Sequence, residues 1–228
     1  MRLRILVVGL LLCPLCRVAA QDEYTWDMGG AIGGSFYMGD ANYNRPFKNT
    51  GLAGSLMARR VFNPRMAVKI NLGAGHISGD TRSMSTVYPE EGQADFSRTL
   101  FDLGAQFEYN FWGYGVNSYR GDRRFTPYVL AGMGFTFAPK PAEGVFTVNF
   151  PVGVGVKYKV APRVNIGAEL TMRFSLSDKL DVSRAGGLEL NDPYRIESTG
   201  LLKNKDSYAF MLLFVTYDLF MKCKDCNN

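Results

Sequence analysis

Between Val152 and Leu176 apolar and polar residues alternate along the chain. Val152, Val154, Val156, Tyr158 and Val160 occupy one set of positions, with Gly153, Gly155, Lys157 and Lys159 between them. After Ala161-Pro162-Arg163 the pattern resumes with Val164, Ile166, Ala168, Leu170, Met172, Phe174 and Leu176. Asn165, Gly167, Glu169, Thr171, Arg173 and Ser175 fall between. A period of two puts the two sets on opposite faces of a strand. The three-residue break predicts an antiparallel hairpin with a short turn.

The same alternation predicts six further strands. The first spans Tyr24–Tyr37, with Trp26, Met28, Ile32 and Phe36 on one face. The second, Gly51–Phe62, turns Leu52, Leu56 and Ala58 one way and Arg59 the other, with Arg60 near its end. Asn63-Pro64-Arg65 reads as a tight turn into the third strand, Met66–His76. Ile77 to about Arg98 reads as a long polar loop. The fourth strand is Thr99–Phe111, the fifth Thr126–Phe137, and the hairpin supplies the sixth and seventh. Ser177–Asp206 is the longest loop and Ser207–Met221 the eighth strand. Its faces are unassigned, because Met211, Leu212, Leu213, Phe214 and Val215 are apolar in succession.

Two architectures share such a pattern. A soluble barrel or sandwich turns its apolar face inward, whereas a transmembrane barrel turns it toward lipid and keeps a polar lumen. Each arm of the hairpin is long enough for a tilted strand to cross a bilayer. The strand number is even, and tight turns at Asn63 and Ala161 share one end with both termini. Long loops near residues 40, 85 and 190 share the other, as in transmembrane barrels. The expected fold is all-β: an eight-stranded antiparallel up-and-down transmembrane β-barrel in the cell outer membrane.

The start of the chain agrees. Arg2 and Arg4 precede an apolar run, Ile5–Leu12, and Val18-Ala19-Ala20 offers small residues for cleavage. Residues 1–20 therefore read as a secretory signal peptide, leaving a barrel over residues 21–228 with a short periplasmic tail at 221–228. Leu12 before Cys13 and Leu15 before Cys16 are too large for a lipoprotein cleavage site. Removing Arg2, Arg4 and Arg17 takes the basic count from 26 to 23 against 21 acids, which is no nucleic-acid footprint. Cys223 and Cys226 form a C-x-x-C that reads as a tail disulfide in the oxidising periplasm.

Several motifs together resemble a known family. They are Tyr37-Met38-Gly39-Asp40, then Phe125-Thr126-Pro127-Tyr128-Val129 with Gly132 and Gly134, and Phe150-Pro151 through Lys157-Tyr158. Gly167-Ala168-Glu169, Arg173 and Ser177-Asp178-Lys179-Leu180-Asp181-Val182-Ser183 complete the series. In this order they resemble the PorG-like outer-membrane β-barrels, a family that includes a type IX secretion system component and uncharacterised relatives. The segment at Asp178–Ser183 lacks an aromatic and one acid of the family's form. The resemblance implies a non-enzymatic part that meets a periplasmic ring of PorK- and PorN-like proteins.

Two charged sets are candidate sites. Arg59, Lys69, Lys157, Lys159 and Arg173 share the lumen-facing positions with Asp27, Asp102, Glu108 and Glu169. An eight-stranded interior is just wide enough for side chains to fill, so this cluster is expected to plug the lumen. Arg65, Arg120, Arg123, Arg124, Arg163, Lys222 and Lys224 gather at the periplasmic edge, where an acidic partner or lipid headgroups would meet them. His76-Ile77-Ser78 resembles the His-x-Ser arrangement of outer-membrane lipid A deacylases, but no orienting carboxylate is evident, and no catalytic residues are expected. Asp178, Asp181 and Asp192 lack the spacing of a cation loop. Neither a metal, a cofactor nor a small-molecule substrate is expected; the expected partners are outer-membrane lipid and the secretion ring.

Overall fold

The computed structural model describes residues 24–38, 50–80, 95–115, 124–139, 144–176 and 207–221. Within them lie β1 (Tyr24–Met38), β2 (Gly51–Asn63), β3 (Met66–Asp80), β4 (Asp95–Asn110), β5 (Phe125–Ala138), β6 (Val145–Ala161), β7 (Val164–Ser175) and β8 (Ser207–Met221). Each strand pairs with its neighbours in sequence, and β1 pairs antiparallel with β8 from Tyr24↔Met221 to Met38↔Ser207, closing the sheet into an eight-stranded barrel. Closure removes the edge strands and satisfies the backbone within the wall, which a spanning structure in lipid requires.

Two tight turns have the same chemistry. Pro64-Arg65 and Pro162-Arg163 each connect strands whose register shifts by one residue just before the turn, at Val61/Asn63 and Lys159/Ala161. The bulge absorbs the residue that a three-residue break would have left in the loop, so each turn is two residues long. Short turns mark the periplasmic end of such barrels.

The faces divide as the alternation demands. Ile32, Leu52, Leu56, Leu72, Leu103, Met133, Val154, Ile166, Leu170 and Leu213 are all exposed on the outside, and Ile32 keeps 75% of its surface open. Phe36, on the same face of β1, is buried at the strand's outer end. A belt of exposed apolar side chains around a closed wall is stable only against lipid. The protein is therefore a transmembrane β-barrel. Outward Trp and Tyr side chains among the described residues, Trp26, Tyr109, Trp112, Tyr158 and Tyr217, cluster toward the periplasmic end. The other end carries phenylalanines in register: Phe101 opposite Phe137, Phe137 opposite Phe146, and Phe150 opposite Phe174.

The segment from Ile77 to Arg98 departs from the sequence reading. The hairpin of β3 and β4 continues through Ile77↔Arg98, Ser78↔Ser97 and Gly79↔Phe96 to Asp80↔Asp95. Here the polarity of the faces inverts. Ile77 and Leu100 turn inward and are fully buried with Tyr37, Ala138 and Val145, while His76, Ser97 and Thr99 face out. This is the pattern of a barrel in water, and it shows where the wall leaves the bilayer. The polar outward residues made the segment read as a loop.

β8 resolves in the same way. Tyr208, Phe210, Leu212, Phe214, Thr216 and Asp218 face in, and Met211, Leu213, Val215 and Tyr217 face out. Its inward rings need space, and glycines provide it. A Cβ on Gly75 would lie 2.7 Å from the Phe210 ring, and one on Gly167 would overlap both the Phe214 ring and the Val156 carbonyl oxygen. At Gly155 a Cβ would overlap the Tyr128 ring.

Candidate functional site

Alternation sends every charged residue of the lumen cluster inward, and the barrel's shear decides which of them meet. Three polar layers result. At the periplasmic mouth, Lys159 Nζ lies 2.6 Å from Asp218 Oδ2, and Asn165 donates to Asp218 Oδ1 at 2.7 Å. Tyr114, from the connection after β4, folds back over this layer. Its hydroxyl donates to Asn165 Oδ1 at 2.7 Å, and its backbone N–H donates to the Pro64 carbonyl at 3.0 Å. Burial, and then the nearby Asp218 carboxylate, pushes the Tyr114 phenol well above its ordinary pKa, so it stays a donor at physiological pH.

The middle layer is built on Glu108, which is fully buried. Lys157 Nζ lies 2.5 Å from Glu108 Oε2, Arg59 Nε lies 2.7 Å from the same oxygen, and Lys69 Nζ lies 3.5 Å from Oε1. The Arg59 Nε contact is an ion pair without the alignment of a hydrogen bond. Arg59 also donates to both carboxylate oxygens of Asp27, at 3.0 and 2.8 Å. Lys69 reaches across to Glu169 at 2.5 Å, and the Tyr128 hydroxyl donates to the same Glu169 oxygen at 2.6 Å.

The outer layer centres on Asp102. Arg173 Nε lies 2.5 Å from it, Tyr208 donates to it at 2.9 Å and Asn149 at 2.8 Å. Thr136 joins Tyr208 at 2.7 Å, and the Arg173 guanidinium stacks 4.1 Å above the Phe210 ring. Above this layer Arg98 is buried and donates to the Pro139 and Ala138 carbonyls.

Of the residues predicted for the lumen, Asp27, Arg59, Lys69, Asp102, Glu108, Lys157, Glu169 and Arg173 fall into the middle and outer layers and Lys159 into the layer at the mouth, and all are buried. Lys159, Arg59, Lys69, Lys157 and Arg173 stand against Asp218, Asp27, Glu108, Glu169 and Asp102, so these cations and carboxylates balance. Asp218, Tyr114, Tyr128 and Tyr208 escaped the sequence reading. Asp218 and Tyr208 lie on the strand whose faces the sequence leaves unassigned, Tyr128 stands out only as part of a family motif, and Tyr114 falls between the fourth and fifth strands. The ties cross the barrel: Lys69 to Glu169 joins β3 to β7, and Tyr208 to Asp102 joins β8 to β4. At those levels side chains from opposite walls meet in direct contact across the lumen.

At the periplasmic rim Arg124 and Arg163 are exposed, as is Arg65. Arg65 and Arg163 each lie 3.5 Å from a tyrosine hydroxyl, those of Tyr109 and Tyr217. Arg120, Arg123, Lys222, Lys224, Cys223 and Cys226 lie outside the described residues, as do residues 1–20, Asp178, Asp181 and Asp192. His76 and Ser78 share the outward face, but His76 bonds across to β4: its Nε2 is 3.0 Å from Ser97 Oγ and its Nδ1 is 3.4 Å from Thr99 Oγ1.

A family model described as a domain of unknown function, DUF6089, matches residues 3–228, nearly the whole chain. The chain belongs to the DUF6089 family. No curated protein matches this DUF6089 chain in sequence. Among solved structures, the Neisserial surface protein A is similar at 14% identity and a TM-score of 0.47, covering 85% of the DUF6089 chain and 96% of its own. A major outer membrane protein from Thermus thermophilus is similar at 13% identity and a TM-score of 0.46, covering 86% and 99%. OprG from Pseudomonas aeruginosa is similar at 10% identity and a TM-score of 0.45, covering 88% and 98%. The closed strand pairing of the DUF6089 barrel establishes its fold independently of these likenesses.

Proposed function

We propose that this barrel is a non-enzymatic anchor of the outer membrane, sealed to solutes, that serves as a PorG-like component of the type IX secretion system by holding a periplasmic ring beneath it. The observation that carries the reading is the lumen crossed by direct hydrogen bonds between opposite walls. A barrel filled in this way offers its surroundings only its two rims and its outer wall. The motif series from Tyr37 to Ser183 supports the secretion role, and the basic rim at Arg65, Arg124 and Arg163 supplies charge complementary to an acidic partner. Arg120, Arg123, Lys222 and Lys224 extend this set in sequence, and PorK- and PorN-like ring proteins are the partners it implies.

The test is affinity capture from membranes of cells carrying Arg124→Glu and Arg163→Glu together. Both residues lie outside the wall, so the barrel should insert normally. Periplasmic partners should be lost, and secretion of cargo should fall. A second reading, a structural or adhesin-type barrel acting through its outer loops, is favoured by the β3–β4 hairpin, which runs beyond the apolar belt to Asp80 and Asp95. Unchanged capture and secretion in the double variant, with loss of activity on shortening the segment 81–94, would replace the first reading with the second.

A further inference from the structure

The outward face of the wall holds one anomaly. Among outward-facing strand residues whose side chains are described, Arg60 is the only Asp, Glu, Lys or Arg. It pairs across to Trp26 on β1 and Val68 on β3, so its neighbours on that face are apolar or aromatic. Its guanidinium carbon lies 5.8 Å from the Trp26 ring centre and 5.7 Å from that of Phe62. No carboxylate among the described residues forms an ion pair with it. Its neighbour Arg59 is saturated by Asp27 and Glu108 inside the lumen, on the other side of the wall.

A lipid-facing arginine is costly near the bilayer midplane and tolerated near the interface. Arg60 sits three residues before Asn63, about 10 Å along the strand from the periplasmic turn at a rise of about 3.3 Å per residue. Its long side chain can therefore bring the charge to the headgroup level of the periplasmic leaflet while its stem stays against the wall. The two rings flank the guanidinium at cation–π range. A planar guanidinium presents paired N–H groups matched to phosphate oxygens, and Trp26 carries an indole N–H. The outward Trp and Tyr residues gather at this same end, where their rings suit a phospholipid interface.

We propose that Trp26, Arg60 and Phe62 form a binding site for the phosphate of an anionic phospholipid headgroup in the periplasmic leaflet of the outer membrane. The occupant follows from height and charge: the site opens sideways into the bilayer, and the group that lies there in quantity is a lipid phosphate. The site stands independently of any secretion role. It ties the barrel's depth and rotation in the membrane to one point on the β1–β2 wall.

The chain has two tryptophans, so Trp112→Phe leaves Trp26 as the only indole, beside the site. That variant is refolded into phosphatidylcholine vesicles containing either brominated-chain phosphatidylglycerol or brominated-chain phosphatidylcholine, and quenching of Trp26 is measured. Folding is checked by the heat-induced gel shift. The anionic lipid should be preferred by about fivefold, the factor expected of one basic residue at an anionic surface. Arg60→Gln should bring the ratio to one, Arg60→Lys should retain part of it, and high salt should lower it. Equal quenching by the two lipids in the Arg60 protein would overturn the proposal and leave the face to a protein partner. A preference unchanged by Arg60→Gln would overturn it too, by assigning the selectivity to the turn arginines.

Discussion

Glu108 is the residue on which the lumen is most dependent. Its carboxylate is shared by Arg59, Lys69 and Lys157, so removing it leaves Lys157 without a carboxylate and leaves Arg59 and Lys69 with Asp27 and Glu169 alone. Breaking a buried pair from one side typically costs about 3–5 kcal/mol. Glu108→Ala should lower stability by about that amount, measured as a shift of the urea midpoint of the barrel refolded in lipid vesicles. Glu108→Gln keeps the volume and one acceptor and should cost less, while still exceeding Asp218→Asn, whose carboxylate faces a single lysine. If Glu108→Gln unfolds at the parent's urea concentration, the cations are finding water, and the lumen is wetter than the distances imply.

At the scale of the strand, position along the alternation decides the outcome of a substitution. Leu170 faces lipid and Thr171 faces the lumen, one residue apart on β7. Leu170→Arg should cost about 2–4 kcal/mol if its level is near the midplane. Thr171→Arg should fail differently, by adding a cation and volume beside Arg173, to which Thr171 accepts a hydrogen bond at 2.7 Å. Gly167→Ala should destabilise by about 1–3 kcal/mol, because its Cβ meets both the Phe214 ring and the Val156 carbonyl, and Phe214→Leu should recover only the ring's share. Vesicle unfolding curves of the single and double variants check both statements. Most of the wall was legible in the sequence because β6 and β7 keep strict alternation, which fixes the face of Lys157, Glu169 and Arg173. Which charges touch was not, since the Lys69–Glu169 tie depends on how far each strand is staggered around the barrel. β8 was opaque because its inward positions are filled by rings, and only the glycines opposite explain why rings fit there. The outer part of β3 and β4 was missed because alternation there keeps its period but reverses its sense.

For the whole molecule the crossed lumen predicts an insulating barrel: planar-bilayer recordings of the refolded protein should show no steady conductance. A stable ohmic channel of porin size would return the interior to a transport role. The cross-barrel ties also bear on how the wall is assembled. Lys159 waits for Asp218, and Asp102 waits for Tyr208, and both partners arrive only with the last strand. Any intermediate that has buried β1 through β7 in the bilayer holds Lys159 without its counterion and Asp102 without one of its donors, a state that lipid penalises. Stepwise threading of single hairpins is thus disfavoured, and insertion and closure should occur as one event. A nascent chain stopped before Ser207 should stay at the membrane surface, open to protease, and should not become a smaller barrel.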